Sequence, residues 1–275
     1  MLSATDVTFT YAGRRRDGLV RPAVAGATLR VARGSCVGLL GPNGSGKTTL
    51  LKLLAGVLRP AAGRVELDER DLRTFTRAGL ARRVAMVPQD THPAFDYTVL
   101  EIVLMGRYAH LGPFEMERPG DLRAAAECLD ATGTSGLQDR LLHTLSGGEQ
   151  QRVVIASALA QTTELLLLDE PSSSLDLRYQ LEIADLLRRL SRERGATLVL
   201  STHDLNFAAG ICDALVFIRD GRLIAAGPTR QVLTPAHIRE LYGVDTDVRE
   251  HPDGGPFVVP VRPSGERARE GGWMP

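Results

Sequence analysis

The 275-residue chain has little of what several protein classes require. Its three cysteines, Cys36, Cys128 and Cys212, show no CxxC spacing. That excludes a disulfide framework or a cysteine-rich metal site and leaves them as small buried hydrophobes of a reducing compartment. Lys+Arg and Asp+Glu stand at 33 each, so no overall positive field draws the chain to a nucleic-acid backbone, and no nucleic-acid partner is expected. No apolar run approaches the roughly 18 residues of a spanning helix, and Met1 to Tyr11 lacks the charged-then-apolar pattern of a secretory leader. The chain is therefore expected to stay in the cytoplasm. No internal repeat recurs, which implies one unit and not a fused pair. What is present is a composition 43% hydrophobic and 24% charged, sufficient for one large α/β core, or for a core and a small subdomain.

Val7, Phe9 and Tyr11 alternate on one face, and Leu29 with Val31 repeats that period after a loop at 14–16, predicting antiparallel strands. From Cys36 the pattern changes to a short apolar run, a glycine loop and an apolar helix from Lys47 that stops near Gly56 and Pro60. The runs 165–168 and 197–200 are too short for helices and too uniformly apolar for half-exposed strands, so they fit the interior of a parallel sheet. Helices are predicted over 99–105 and over 119–132, with Pro119 suited to the first position and Gly133 to the end. Leu177, Leu181, Ala184, Leu187 and Leu190 mark one face of a long amphipathic helix that Gly195 ends. Residues 214–219, the Asp220-Gly221 turn and residues 222–227 read as a hairpin. Beyond Tyr242 the chain is rich in Pro, Gly and charge, and disorder is expected from about Pro263.

Gly41-Pro42-Asn43-Gly44-Ser45-Gly46-Lys47-Thr48 satisfies GxxxxGK[ST] between a buried strand and a helix start, with Thr49 in the first turn. The glycines let backbone N–H groups turn toward phosphate oxygens at the positive end of a helix dipole. Lys47 is then the residue that reaches the β- and γ-phosphates, and Thr48 the hydroxyl ligand of Mg²⁺. The competing reading is a glycine-rich turn before a helix. The apolar run 165–168 ends in Asp169 and Glu170, at the carboxyl edge where open α/β sheets bind ligands. Asp169 is expected to hold Mg²⁺ directly or through water, and Glu170 to polarise the attacking water as general base. Capping acids at a helix start would look alike.

Leu145-Ser146-Gly147-Gly148-Glu149-Gln150-Gln151-Arg152 resembles the signature sequence of ABC-transporter ATPases. A Ser and two glycines opening the helix 149–160 would again face N–H groups and a dipole outward; a capped helix without further role is the alternative. The resemblance implies an α/β P-loop NTPase with a mixed, mostly parallel core sheet, an N-terminal antiparallel β-subdomain and a helical subdomain inserted at about 90–160. The ATPase domain would span 1–243 and a partly disordered extension 244–275. It implies ATP and Mg²⁺ as cofactors and a homodimer in which Ser146, Gly147 and Gly148 close over ATP held by the opposite subunit. By the same resemblance Gln89 senses Mg²⁺ and water, His203 contacts the γ-phosphate, Asp176 belongs to the loop by which subunits read each other, and Tyr11 stacks on adenine. For each there is a plainer role: a solvated Gln, a packed or capping His, an N-cap at Asp176, a core Tyr.

A finer likeness lies in residues 97–108, which are similar to ATP-binding subunits of bacterial iron-siderophore, haem and vitamin B12 importers. Leu233-Thr234-Pro235 and Glu240-Leu241-Tyr242-Gly243-Val244 point the same way. The implied partners are transmembrane permease subunits and, through them, a substrate-binding protein, with the chain peripheral on the cytoplasmic face of the inner membrane. The insert would form a groove for a short helix of the permease, unless Val99, Ile102 and Val103 pack inward. Ser172-Ser173-Ser174 departs from the family, where many relatives have a Thr and one other residue. A soluble ABC ATPase of DNA repair or translation is the alternative, but the chain has neither a long coiled-coil insertion nor two ATPase units. A GTPase would need an Asn-Lys pair, which the sequence lacks.

Overall fold

Two sheets and a helical bundle meet around the segment that begins at Cys36. A computed structural model of the protein describes every residue except 12–14, 17–18, 90–94, 113, 162–163, 174, 253 and 262–275. The chain opens with β1 (Leu2–Phe9), the short β2 (Arg15–Arg16) and β3 (Leu19–Val20), and β4 (Val24–Val31). β5 (Cys36–Leu40) leads through the glycine loop into α1 (Lys47–Leu54), followed by β6 (Ala62–Leu67), β7 (Arg70–Asp71), α2 (Arg77–Ala81) and β8 (Val84–Val87). Helices α3 (Val99–Met105), α4 (Pro119–Ala131) and α5 (Gly147–Ala160) intervene before β9 (Leu165–Asp169). Then come α6 (Leu177–Arg194), β10 (Thr197–Thr202), α7 (Leu205–Ile211), β11 (Ala214–Arg219) and β12 (Arg222–Pro228). The chain continues with α8 (Thr229–Val232), α9 (Pro235–Tyr242), β13 (Thr246–Glu250) and β14 (Pro256–Pro260).

The first sheet runs β4-β1-β6-β7 and is antiparallel, with Leu2 facing Val31 on one side and Leu67 on the other. The second runs β12-β11-β5-β10-β9-β8, parallel except for β12. This is the mixed, mostly parallel core sheet; the antiparallel sheet takes β1 and β4 from before β5 and β6 and β7 from after it, and the helical insert lies between β8 and β9. The central strands of the core sheet are apolar on both faces for a reason visible in the packing. Val37, Leu39, Leu165, Leu167 and Val199 point into a layer shared with α1 and the antiparallel sheet. Cys36, Leu40, Leu166, Leu168, Leu198 and Leu200 point into the layer under α6 and α7. Each fully buried leucine contributes roughly 1.5–3 kcal/mol, so neither face tolerates a polar alternation. The helices α3, α4 and α5 enclose a separate cluster in which Val99, Ile102 and Val103 are all buried. These three residues pack inward.

Several expectations need correction. The stripe along α6 is not the one predicted: Ala184, Leu187 and Leu190 are buried together with Ile183 and Leu186, but Leu177 and Leu181 are 71% and 58% exposed. Helix α5 begins at Gly147, two residues earlier than predicted, because Ser146 accepts from Glu149 N (3.4 Å) and so draws both glycines into the first turn. Cys36 and Cys212 are buried hydrophobes, whereas Cys128 is only half-buried. The stretch after Tyr242 carries an unpredicted hairpin, β13 with β14, whose Val258 is buried. Arg14, Ser174, the boundary at residue 90 and the tail from Pro263 lie outside the described residues.

Candidate nucleotide site

The glycine loop is a turn that only glycines can make in this place. Gly44 and Gly46 have left-handed backbones, at φ 78° and 110°. A Cβ on Gly46 would stand 2.3 Å from the Ala23 carbonyl oxygen, and one on Gly41 2.1 Å from that of Ile218. The loop is thereby wedged between the start of β4 and the end of β11. The Asp220-Gly221 turn hooks it from outside: Gly221 N donates to Ser45 O (2.9 Å), and Ala25 N donates to Gly221 O (2.8 Å). Inside the loop, Ser45 Oγ is buried and has no hydrogen-bond partner among the described residues, a donor that an anionic oxygen would satisfy.

Lys47 is 5% exposed; its ammonium donates to Gly41 O (2.8 Å) and Pro42 O (3.3 Å) and lies 3.5 Å from Glu170 Oε1. Thr48 Oγ1 donates to Asp169 Oδ1 (3.1 Å), which also accepts from Ser201 Oγ (2.6 Å). Asp169, 3% exposed at the end of β9, is held by hydroxyls from α1 and β10. Glu170 follows in a left-handed conformation, φ 48°, with its N–H shared between Ser201 O (3.1 Å) and Ser201 Oγ (3.0 Å). That bend carries its carboxylate out of the sheet, where Oε2 sits 3.2 Å from His203 Nδ1. Gln89, exposed beyond β8, and Glu170 face Lys47, Thr48 and Thr49 across a cleft of about 340 Å³. A larger hollow of about 540 Å³ lies behind α1, lined by Leu58, Leu72, Phe75, Leu80 and Met86, and shares none of these residues.

Tyr11 is half-buried, edge-on to Phe9 (centroids 4.9 Å apart) with its hydroxyl 3.4 Å from Thr49 Oγ1. Ser146, Gly147, Gly148 and Asp176 do not line the cleft. Ser146 caps α5: its N–H and hydroxyl both donate to Glu149 Oε2 (2.8 Å each), and the backbone bond above all holds that carboxyl below the usual carboxylate range. Gly148 is required by a neighbour, since a Cβ there would meet the Tyr179 ring at 2.2 Å. Asp176 is exposed and caps α6 by accepting from Tyr179 N (3.0 Å). Sequence reasoning passed over Ser201, although it stands two residues before His203; nothing local marks a buried hydroxyl as the carboxylate's anchor.

The profile of the ABC transporter family matches residues 24–173, which holds the glycine loop, the signature helix and the two carboxylates. This chain belongs to the ABC transporter family. It is 44% identical over 240 residues to the hemin import ATP-binding protein HmuV of Bordetella pertussis, an alignment covering 84% of this chain and 90% of that one. It is 38% identical over 235 residues to the ferric enterobactin transport ATP-binding protein FepC of Escherichia coli, covering 85% and 87%. To the cobalamin import ATP-binding protein BtuD of Halobacterium salinarum it is 40% identical over 230 residues, 84% of this chain and 57% of that protein. Among solved structures, an inward-facing putative metal-chelate type ABC transporter superposes with a TM-score of 0.81 at 30% identity, covering 95% of this chain and 97% of that one. The ABC protein described here is accordingly an ATP-binding and ATP-hydrolysing subunit. None of its described helices is long and apolar enough to cross a membrane.

Proposed function

We propose that this ABC ATPase drives uptake of an iron-siderophore, haem or cobalamin-type cargo by closing as a homodimer over two ATP molecules. The observation that carries the reading is the meeting of Lys47, Thr48, Asp169, Glu170 and His203 at the carboxyl edge of β5, β9 and β10. Lys47 binds the β- and γ-phosphates, and the loop from Gly41 to Thr49 cradles them. Glu170 takes the proton of the attacking water, and His203, bonded to that same carboxylate, orients it and contacts the γ-phosphate. Gln89 faces the incoming water from across the cleft, and Tyr11 presents its ring to adenine. Thr48 and Asp169, hard oxygen donors 3.1 Å apart, fit Mg²⁺, which when bound neutralises phosphate charge. Ser146, Gly147, Gly148 and Asp176 act on the nucleotide of a second copy; their separation from the cleft and the exposed Leu177 and Leu181 beside Asp176 support this.

The proposed setting is peripheral, on the cytoplasmic face of the inner membrane, with permease subunits and through them a substrate-binding protein. The cargo class is supported by the names of the relatives, HmuV, FepC and BtuD. The test is to purify the protein from membranes with its associated subunits, reconstitute the complex in vesicles, and measure which cargo stimulates ATP hydrolysis. Stimulation by a ferric siderophore, haem or cobalamin supports the reading. Co-purification with nucleic acid or ribosomes in place of a permease would overturn it.

A further inference from the structure

The sequence string Glu240-Leu241-Tyr242-Gly243-Val244 has no part in the site as described, yet it ends beside it. His203 sits at an exposed turn after β10, and half of that turn is braced locally. Asp204 N donates to Thr202 Oγ1 (3.0 Å), and the Asp204 carboxylate caps α7 by accepting from Asn206 N and Phe207 N (2.9 Å each). The His203 carbonyl is braced from elsewhere. Tyr242, the last residue of α9, donates its hydroxyl to that oxygen at 3.3 Å across 39 residues of sequence. One hydroxyl therefore ties the turn that carries His203, and with it the imidazole beside Glu170, to the end of α9.

The base of this brace is rigid. Thr234 caps α9, Ile238 and Leu241 are buried beneath it, and Gly243 ends it with a left-handed turn at φ 74°. Arg219, at the end of β11, donates to the Glu240 carbonyl. A second tie reaches the segment after His203: Asn206 Nδ2 donates to Val258 O (3.1 Å) and Val258 N donates to Asn206 Oδ1 (2.8 Å), so β14 is bonded to the first turn of α7. Burial, reinforced by Asp204 and Glu170, pushes the Tyr242 phenol up to about 12, so it keeps its proton and remains a donor at any working pH.

We propose that Tyr242 is a positioning residue for ATP hydrolysis: its hydroxyl anchors the His203 turn to the end of α9, so that the imidazole meets the γ-phosphate gripped by Lys47. The inference rests on the role given to His203 above. The test is a double-mutant cycle of Tyr242→Phe and His203→Ala, read as kcat and KM for ATP in the full-length protein, with thermal unfolding measured alongside. Phe keeps the ring and its packing and removes only the hydroxyl. The expected result is a fall in kcat of about threefold to tenfold, the worth of one neutral hydrogen bond, with KM within about twofold. In the His203→Ala background, Tyr242→Phe should cost nothing further, because there is no imidazole left to position. An unchanged kcat overturns the proposal, as does a rise in KM alone, which would make the hydroxyl a prop for nucleotide binding. Losses that multiply in the double variant overturn it too, since the two residues would then act separately. If His203→Ala alone keeps parental turnover, the assignment of His203 falls first and takes this one with it. A lower unfolding temperature with unaltered kcat counts against it as a purely structural effect.

Discussion

Replacing Glu170 by Gln keeps the shape of the side chain and removes one charge, and the site makes the consequence calculable in sign. Glu170 Oε1 lies 3.5 Å from the Lys47 ammonium, with both side chains nearly buried at 11% and 5% exposure. At that separation and an effective dielectric of about 20, the gross attraction is about 5 kcal/mol, of which desolvation of the pair cancels a large part. Without nucleotide the variant loses this partner, although Lys47 retains the Gly41 and Pro42 carbonyls. With ATP in the cleft the γ-phosphate becomes the lysine's counter-charge, and the Glu170 carboxylate is then a repulsive neighbour that Gln is not. The variant should therefore bind ATP at least as tightly as the parent while turning over about 10²- to 10⁴-fold more slowly, the usual worth of a general base. Equilibrium binding of radiolabelled ATP and single-turnover phosphate release measure the two separately. Turnover within tenfold of the parent would remove Glu170 from the role of base, and ATP affinity weakened more than tenfold would mean that its bond to Lys47 serves the architecture of the loop.

Three further outcomes are expected. Ser146→Arg should abolish hydrolysis without weakening ATP uptake by monomers, and mixing it with the parent should change the rate per parental subunit; two independent populations would contradict action across a dimer. Gly148→Ala pushes a methyl into the Tyr179 ring and should lower stability by about 1–3 kcal/mol, with Tyr179→Ala costing less in that background than in the parent, both read by denaturant unfolding. Because Tyr242 is raised from about 10 to about 12 in the folded protein, it binds its proton more tightly folded than unfolded. Its contribution is whole below pH 10 and is lost as pH rises toward 12, by up to about 2–3 kcal/mol, so the stability of Tyr242→Phe should fall less steeply over that range than the parent's.

Much of the core was legible because its signals are local. Strand β5, the glycine loop and α1 follow one another without interruption, and the unbroken apolar runs of β9 and β10 could only be strands buried on both faces. The hairpin at Asp220-Gly221 was legible from its turn dipeptide. The failures involve partners far apart in sequence. That Gly221 holds Ser45, that Ser201 holds Asp169, and that Tyr242 reaches His203 are facts of tertiary packing with no periodicity to betray them. The α6 stripe misled for a related reason: Leu177 and Leu181 share the helical spacing of the buried residues but lie beyond the end of the layer that covers Ala184 and Leu187. The β13–β14 hairpin escaped because Pro, Gly and charge around it read as a tail, while its one deep contact, Val258, is a single residue.

The position of β5 in its sheet bears on how the polypeptide leaves the ribosome. Residues 36–40 sit between strands made of residues 197–202 and 214–219, so the earliest-made strand of that sheet must wait some 160 residues for its first neighbour and longer for its second. Until then an apolar edge is open to any other nascent strand. High contact order of this kind makes acquisition of the native state slow and late, and a product terminated before Ala214 would keep one side of the strand unpaired.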